Sequence, residues 1–375
     1  MKSRIVDFRF YGYLLMFLFR SLHEKPRKTM GRILLKIICI TWTPSGSRRI
    51  HDLRKLLDAE VWNYSIFYKE KILSMIKYPV QAVVTFTTLI KKRPDVVVVQ
   101  NPPIFAALTC LLYAKFYGAR VVIDHHLVWS MSGFINNPVL RAFIRTVEEF
   151  CVKRAYVNTT YADDWESELV KMGAGKTVTI YDFVDKTWME RADLSVRENF
   201  PKDKKIIVMP CGTGHVLERP DLLIEASKEI KDLLVVVTGS LKYLGEHVEK
   251  ARSIGAENVV FTSFLPDRQY RGLIATCDFV ANVSNEPYGI PHTITEGLAA
   301  GRPVIVSGNP SVRKLLGDDY PLFIPRNDVE TVKKIVSMAV EREEEFKKHA
   351  ADLYLRLKKK REEQVKKLFK FLYAH

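Results

Sequence analysis

The chain has 375 residues, too many for one ordinary core, so two domains are expected. With 47% hydrophobic and 27% charged residues it is a folded globular chain, which excludes a disordered polymer. The formal net charge of +15 suits an anionic membrane or a phosphate-bearing substrate. Nucleic acid is disfavoured, because the basic residues are spread along the chain and form no recognition motif.

In chain order, the first feature is the apolar run Phe10 to Phe19, bracketed by Arg9 and Arg20. About 20 apolar residues are needed to cross a bilayer, so this run is too short. No small-residue cleavage site follows it, which argues against a signal peptide. Lys25, Arg27, Lys28 and Arg32 extend the basic flank. Residues 1–30 are therefore expected to be a basic, apolar segment lying at an anionic membrane surface.

Leu34 to Thr41 reads as a buried strand, and Arg48 to Leu57 as a helix. Val96 to Gln100 is a second strand, followed by a helix from Ile104 to Tyr117 that Gly118 stops. Arg120 to Asp124 (strand), Val139 to Arg154 (helix), and Ala155 to Thr160 and Thr177 to Tyr181 (strands) complete the first half. The polar residues 191–205 read as a linker. The alternation restarts with strands at Ile206 to Met209, Leu233 to Thr238, Val259 to Phe261, Phe279 to Val283 and Val304 to Val306. Helices are expected at Asp221 to Ile230 and Glu296 to Ala300.

This pattern predicts an α/β chain of two Rossmann-like domains, 31–190 and 206–328, with a cleft between them. Residues 329–375 form a long, basic helical region whose leucines offer an apolar side for packing back on the first domain. The five cysteines, Cys39, Cys110, Cys151, Cys211 and Cys277, lack metal-ligand spacing and are expected to be free buried thiols.

Ligands in doubly wound sheets bind outside the carboxyl ends of the strands, so the residues there are the candidates. In the second half these are Gly212, Thr213 and Gly214, whose backbone N–H groups can approach a phosphate, with Arg219 just downstream. In the first half, His125 and His126 follow one strand, and Asn101-Pro102-Pro103 follows another. A histidine placed there can act as a general base or hold an acceptor hydroxyl. The segment Asn285 to Val306 combines a strand end, a Gly/Pro loop, a short helix and two carboxylates, Glu286 and Glu296. Its helix start can present N–H groups to a diphosphate, and a carboxylate can hold two sugar hydroxyls. Ala299, Ala300 and Gly301 are expected to let this helix approach the sheet closely.

Glu286-Pro287-Tyr288-Gly289 and Glu296-Gly297-Leu298-Ala299-Ala300-Gly301-Arg302-Pro303-Val304-Ile305 resemble the donor-site motif of family-4-type glycosyltransferases of GT-B fold. Gln100-Asn101-Pro102-Pro103, Val122-Ile123-Asp124-His125-His126, Thr179-Ile180-Tyr181-Asp182 and Val237-Thr238-Gly239 are similar to the β-1,4-mannosyltransferase branch of the dolichol pathway. The resemblance implies transfer of a hexose, with mannose favoured, from a nucleoside-diphosphate sugar such as GDP-mannose. The implied acceptor is a hydroxyl of a lipid-linked saccharide at the cytoplasmic face of a membrane.

The resemblance also implies roles. Glu296 matches the acid that binds the donor ribose, while Glu286, Gly289, Ile290 and Pro291 lie near the donor sugar and phosphates. Residues 212–214 match the phosphate loop, His126 and Glu286 the catalytic groups, and Ser45, Gly46, Asn101 and His125 the acceptor side. Glu286 and Glu296 are ten positions apart where the family motif has eight, so the family's first glutamate falls at Tyr288. No metal or other cofactor is implied, and no Asp-x-Asp pair occurs; Asp163-Asp164 and Asp318-Asp319 are adjacent acids. The rival readings are an epimerase of sugar nucleotides on the same fold, and a non-catalytic sugar-nucleotide-binding protein.

Overall fold

The computed structural model describes residues 35–43, 48–64, 74–131, 135–212 and 217–374. The segment 1–30, Ser45, Gly46, Thr213 and Gly214 lie outside the described residues. The chain divides into two compact units. One is residues 1–159 with 168–177; the other is 160–167 with 178–375.

The first sheet comprises β1 (Ile37–Thr41), α1 (Arg48–Leu57), β2 (Glu60–Asn63), α2 (Ser74–Lys92), β3 (Val96–Asn101), α3 (Ile104–Tyr117), β4 (Arg120–His125), α4 (Pro138–Arg154), β5 (Val157–Thr160), α5 (Asp163–Lys171) and β6 (Thr177–Thr179). The strand order is β2-β1-β3-β4-β5-β6, with the pairs β1–β2, β1–β3 and β3–β4 parallel. Val96 to Val99 are fully buried, as expected for a strand covered on both faces. Gly118 ends α3 in the left-handed conformation and donates its N–H to the Ala114 carbonyl. Asn137 caps α4 by accepting from the N–H groups of Val139 and Leu140, with Pro138 at the first helical position.

The second sheet comprises β7 (Lys205–Pro210), α6 (Pro220–Ser227), β8 (Leu233–Thr238), α7 (Leu241–Ser253), β9 (Val259–Thr262), α8 (Asp267–Thr276), β10 (Phe279–Asn282), α9 (His292–Ala299), β11 (Val304–Ser307), α10 (Pro310–Leu316) and β12 (Phe323–Ile324). Two helices follow, α11 (Val329–Glu341) and α12 (Glu343–Tyr373). The order is β12-β11-β10-β7-β8-β9, all parallel, so the strand order reverses between β7 and β10. Residues 186–199 form two short 3₁₀ helices, and Val196 joins the core beside β7 and β8. Gln364 of α12 accepts from the Tyr181 N–H, and Arg361 donates to the Tyr181 carbonyl.

Two local expectations are corrected. The helix expected at Glu296 begins four residues earlier, at His292, because Pro291 supplies the extended residue before it. Of the two glycines at this helix, the close approach to the sheet is made by Gly297 and not by Gly301, while Ala299 is buried and Ala300 packs against the core. A Cβ on Gly297 would lie 3.0 Å from Val304 and 3.1 Å from Val280, whereas one on Gly301 would meet nothing within 4 Å. All five cysteines are free and buried. Among the described residues no helix is long and apolar enough to cross a membrane.

Candidate functional site

In a doubly wound sheet the point where strand order reverses opens a crevice at the carboxyl ends. In the second sheet that point brings together the turn after β7 and the loop after β10. Glu218 and Ser284 form an antiparallel bridge, and Arg219 N–H donates to the Val283 carbonyl at 2.8 Å. Gly212 N–H donates to Glu218 Oε1 at 3.3 Å. Gly212 therefore sits beside the loop that holds Glu286.

That loop is tied down along its length. Asn309 Nδ2 donates to the carbonyls of Glu286 and Gly289, the latter at 2.9 Å. Gly289 N–H donates to Asp164 Oδ2 at 3.0 Å. Gly289 has φ of 84°, which favours glycine, and a Cβ there would lie 2.6 Å from the Tyr161 hydroxyl, which would have to move. Tyr288 packs on Trp165 with ring centroids 5.1 Å apart. Ile290 is buried and Glu286 half-buried. The two adjacent acids 163 and 164 are absorbed here: Asp163 accepts from Tyr181 and pairs with Lys314 at 2.8 Å.

The loop delivers the chain into α9 through Pro291. The first turn of a helix has backbone N–H groups without intrahelical partners, a ready cradle for an anion. His292, in that turn, faces Asp182 at 3.4 Å. One turn further on, Glu296 is 3% exposed, and its carboxylate accepts a hydrogen bond of 2.6 Å from the Tyr270 hydroxyl. A buried carboxylate fixed in this way is oriented before any ligand arrives.

Arg219 lines a cavity of about 650 Å³ at the carboxyl ends of β7 and β8, with Cys211, Glu218, Lys242 and His247. Its guanidinium is held by Asp221 through Nε at 2.9 Å and Nη2 at 2.7 Å. Burial pushes the Asp221 carboxyl up, but the hydrogen bond from Arg219 together with the positive charges of Arg219, His247 and Lys250 outweighs it, and the group stays below the ordinary carboxylate range. Much of the Arg219 charge is thus matched within the chain. Lys242, which the motif count does not point to, brings another cation to the same cavity. Glu296 is not part of this lining; Glu218 links the cavity to the loop after β10.

The first sheet has a different edge. Asn101 Nδ2 donates to Glu148 Oε1 at 3.2 Å and faces His125 Nδ1 at 3.1 Å. His125 Nε2 faces Asn158 Oδ1 at 3.0 Å, which requires the proton on Nε2. Glu148 also accepts from the N–H groups of Trp129 and Ser130. His125 is 1% exposed, and burial holds its pKa below the ordinary value. Arg49 grips Asp124 with two nitrogens, and Thr159 donates to the same carboxylate at 2.8 Å. Asn101 and His125 are thus interior residues that fix the ends of β3 and β4, while His126, half-buried, follows them in the loop.

Residues 190–360 match the family model described as glycosyl transferases group 1. No curated protein matches the chain in sequence. Among solved structures, HepE from Anabaena in complex with UDP superposes with a TM-score of 0.71 at 14% identity, over 91% of this chain and 100% of that one. The sucrose-phosphate synthase of Thermosynechococcus elongatus gives 0.72 at 13% identity, over 90% and 99%. The fold is that of the GT-B glycosyltransferases. A Listeria monocytogenes protein named as a UDP-N-acetylglucosamine 2-epimerase is similar at a TM-score of 0.56 and 14% identity, over 84% and 91%.

Tyr270, Asp164 and Tyr161 carry no motif signal, because each reaches the site from a distant part of the chain. Asn309 alone had a local cue, as an Asn before Pro310 at a helix start.

Proposed function

We propose that the protein is a glycosyltransferase that moves a hexose, mannose favoured, from a nucleoside-diphosphate sugar to a hydroxyl of a lipid-linked saccharide. The observation that carries this reading is Glu296: a buried, pre-oriented carboxylate on a GT-B helix whose first turn abuts the strand-order reversal. Glu296 binds the donor ribose. The N–H groups at the start of α9, the glycine turn after β7 and the α9 dipole stabilise the leaving diphosphate as its charge develops. Arg219 and Lys242 add positive charge on the same side. Gly289, Ile290 and Pro291 shape the sugar end, with Glu286 beside the reacting carbon and His126 as the base toward the acceptor hydroxyl. No metal takes part. The sugar nucleotide bound by HepE and the family of residues 190–360 support the donor class.

The test is a donor screen with purified full-length protein, including GDP-mannose and UDP-glucose, that reads nucleoside-diphosphate release with and without a lipid-linked disaccharide. Acceptor-dependent release from one donor is expected. Acceptor-independent release of free, isomerised sugar would establish the epimerase reading, which the similarity to the Listeria protein favours. Tight donor binding with no turnover would establish the non-catalytic one.

A further inference from the structure

The helices of the first sheet present an unusual outer face. The connections β2→β3, β3→β4 and β4→β5 all step the same way along the sheet, so right-handed crossovers place α2, α3 and α4 on one face. Ten of the eighteen exposed large hydrophobic side chains of the described residues lie on these three helices. On α3, Leu108, Leu112 and Phe116 repeat at every fourth position, and so share one outward stripe. On α4 the outward stripe is Val139, Phe143 and Phe150, with Val139 77% exposed. An α-helix that is apolar on all sides, as α3 is, belongs in an environment that covers it.

The charges around the stripes are of one sign. α2 and α3 contain no Asp or Glu. Of the two acids on α4, Glu148 is buried, and Glu149 pairs with Arg145 at 2.7 Å. Lys115, Arg141, Lys153 and Arg154 are exposed among the apolar groups. At the carboxyl ends of α3 and α4 a cavity of about 530 Å³ is lined by Arg120, Arg154 and Lys176 and by no acidic residue. A second copy of this face would set cations against cations. A lipid surface with anionic headgroups satisfies both the apolar and the basic character.

We infer that the outer face of α2, α3 and α4 rests on an anionic bilayer, with the basic cavity taking a lipid phosphate. This deepens the lipid-linked-acceptor reading and rests on it for its purpose, but the surface can be tested alone.

The five native cysteines are buried, with burial pushing Cys39, Cys151 and Cys277 up to about 12 and the other two higher, so an introduced thiol labels selectively. Full-length Phe116→Cys, Phe143→Cys and, as control, Leu355→Cys are labelled with an environment-sensitive dye. They are then mixed with phosphatidylcholine vesicles or with vesicles also containing phosphatidylglycerol. The result expected is a blue shift at 116 and 143 with anionic vesicles and none at 355. Combining Arg154→Ala with Lys176→Ala is expected to weaken binding to the anionic vesicles at least threefold.

Co-sedimentation of the chain with no shift at 116 or 143 would overturn the inference and leave anchoring to another segment. A shift that needs no vesicles and grows with protein concentration would overturn it in favour of self-association. Equal shifts with both vesicle types, or a double variant that binds as the wild type does, would overturn the phosphate part. If the dyes shift but no donor supports acceptor-dependent release, the transferase reading fails and the surface stands. Release with a lipid-linked acceptor and no shift fails the surface alone.

Discussion

The carboxyl edges of the two sheets are built on opposite principles. In the first, polar groups are buried and spent on one another: Arg49 on Asp124, and Glu148 on Asn101 and two backbone N–H groups. In the second, a half-exposed loop is tied from behind by Asn309 and Asp164 and leads into a helix on which Glu296, one turn in, is oriented by Tyr270. The difference teaches that strand-end polar residues in the same architecture serve two ends. A closed network fixes a loop; a tethered loop beside a helix N-terminus prepares a binding surface.

If that contrast is right, damage to the first edge lowers stability and damage to the second lowers ligand affinity. The largest effect is expected from Arg49→Ala, which leaves the buried Asp124 without its cationic partner, Thr159 still donating to it, and costs about 3–5 kcal/mol. Denaturant unfolding measures this, and donor affinity of the folded variant should be unchanged. Glu296→Ala is the mirror case. Loss of a charged hydrogen-bonding group of about 1.5–3 kcal/mol corresponds to roughly ten- to a hundredfold weaker donor binding, read by calorimetric titration at a temperature where the variant is fully folded. Gly297→Ala sets a methyl 3.0 Å from Val304 and 3.1 Å from Val280, a crowding that opposes the gain of about 1 kcal/mol in helix propensity; a lowered melting temperature is expected, and a raised one would show that the helix does not need glycine to approach the sheet.

The smallest effect is one of pH. Because burial holds His125 below its ordinary value of about 6.5, the unfolded chain binds more protons than the folded one below that pH. Its contribution is complete above about pH 6.5 and falls as pH drops toward the lowered native value. Urea midpoints at pH 8 and pH 5.5 should show this loss, and His125→Gln should flatten that part of the curve.

Most of the strands were legible in the chain, whereas β2, β12 and the helices α2, α5, α7, α8 and α10 were not among the expected elements. Buried parallel strands are continuous β-branched runs, and Leu233 to Thr238 and Ile104 to Tyr117 have the expected bounds. α2 was not legible, because Val83, Val84, Thr85, Thr87 and Thr88 dilute its helical period with β-branched residues and Pro79 lies inside it. The start of α9 was obscured in the same way by Thr293, Ile294 and Thr295. At the candidate site the loop and Glu296 could be read from local spacing. Tyr270, Asp164 and Tyr161 could not, since their placement depends on which strand ends meet, and spacing does not encode that.

The most direct test of the account is calorimetric titration of nucleoside diphosphates into full-length wild type and Glu296→Ala. Saturable binding of one nucleoside diphosphate is expected, weakened roughly ten- to a hundredfold in a variant that is folded at the temperature of the titration. Equal affinity in the two proteins would contradict the role given to Glu296.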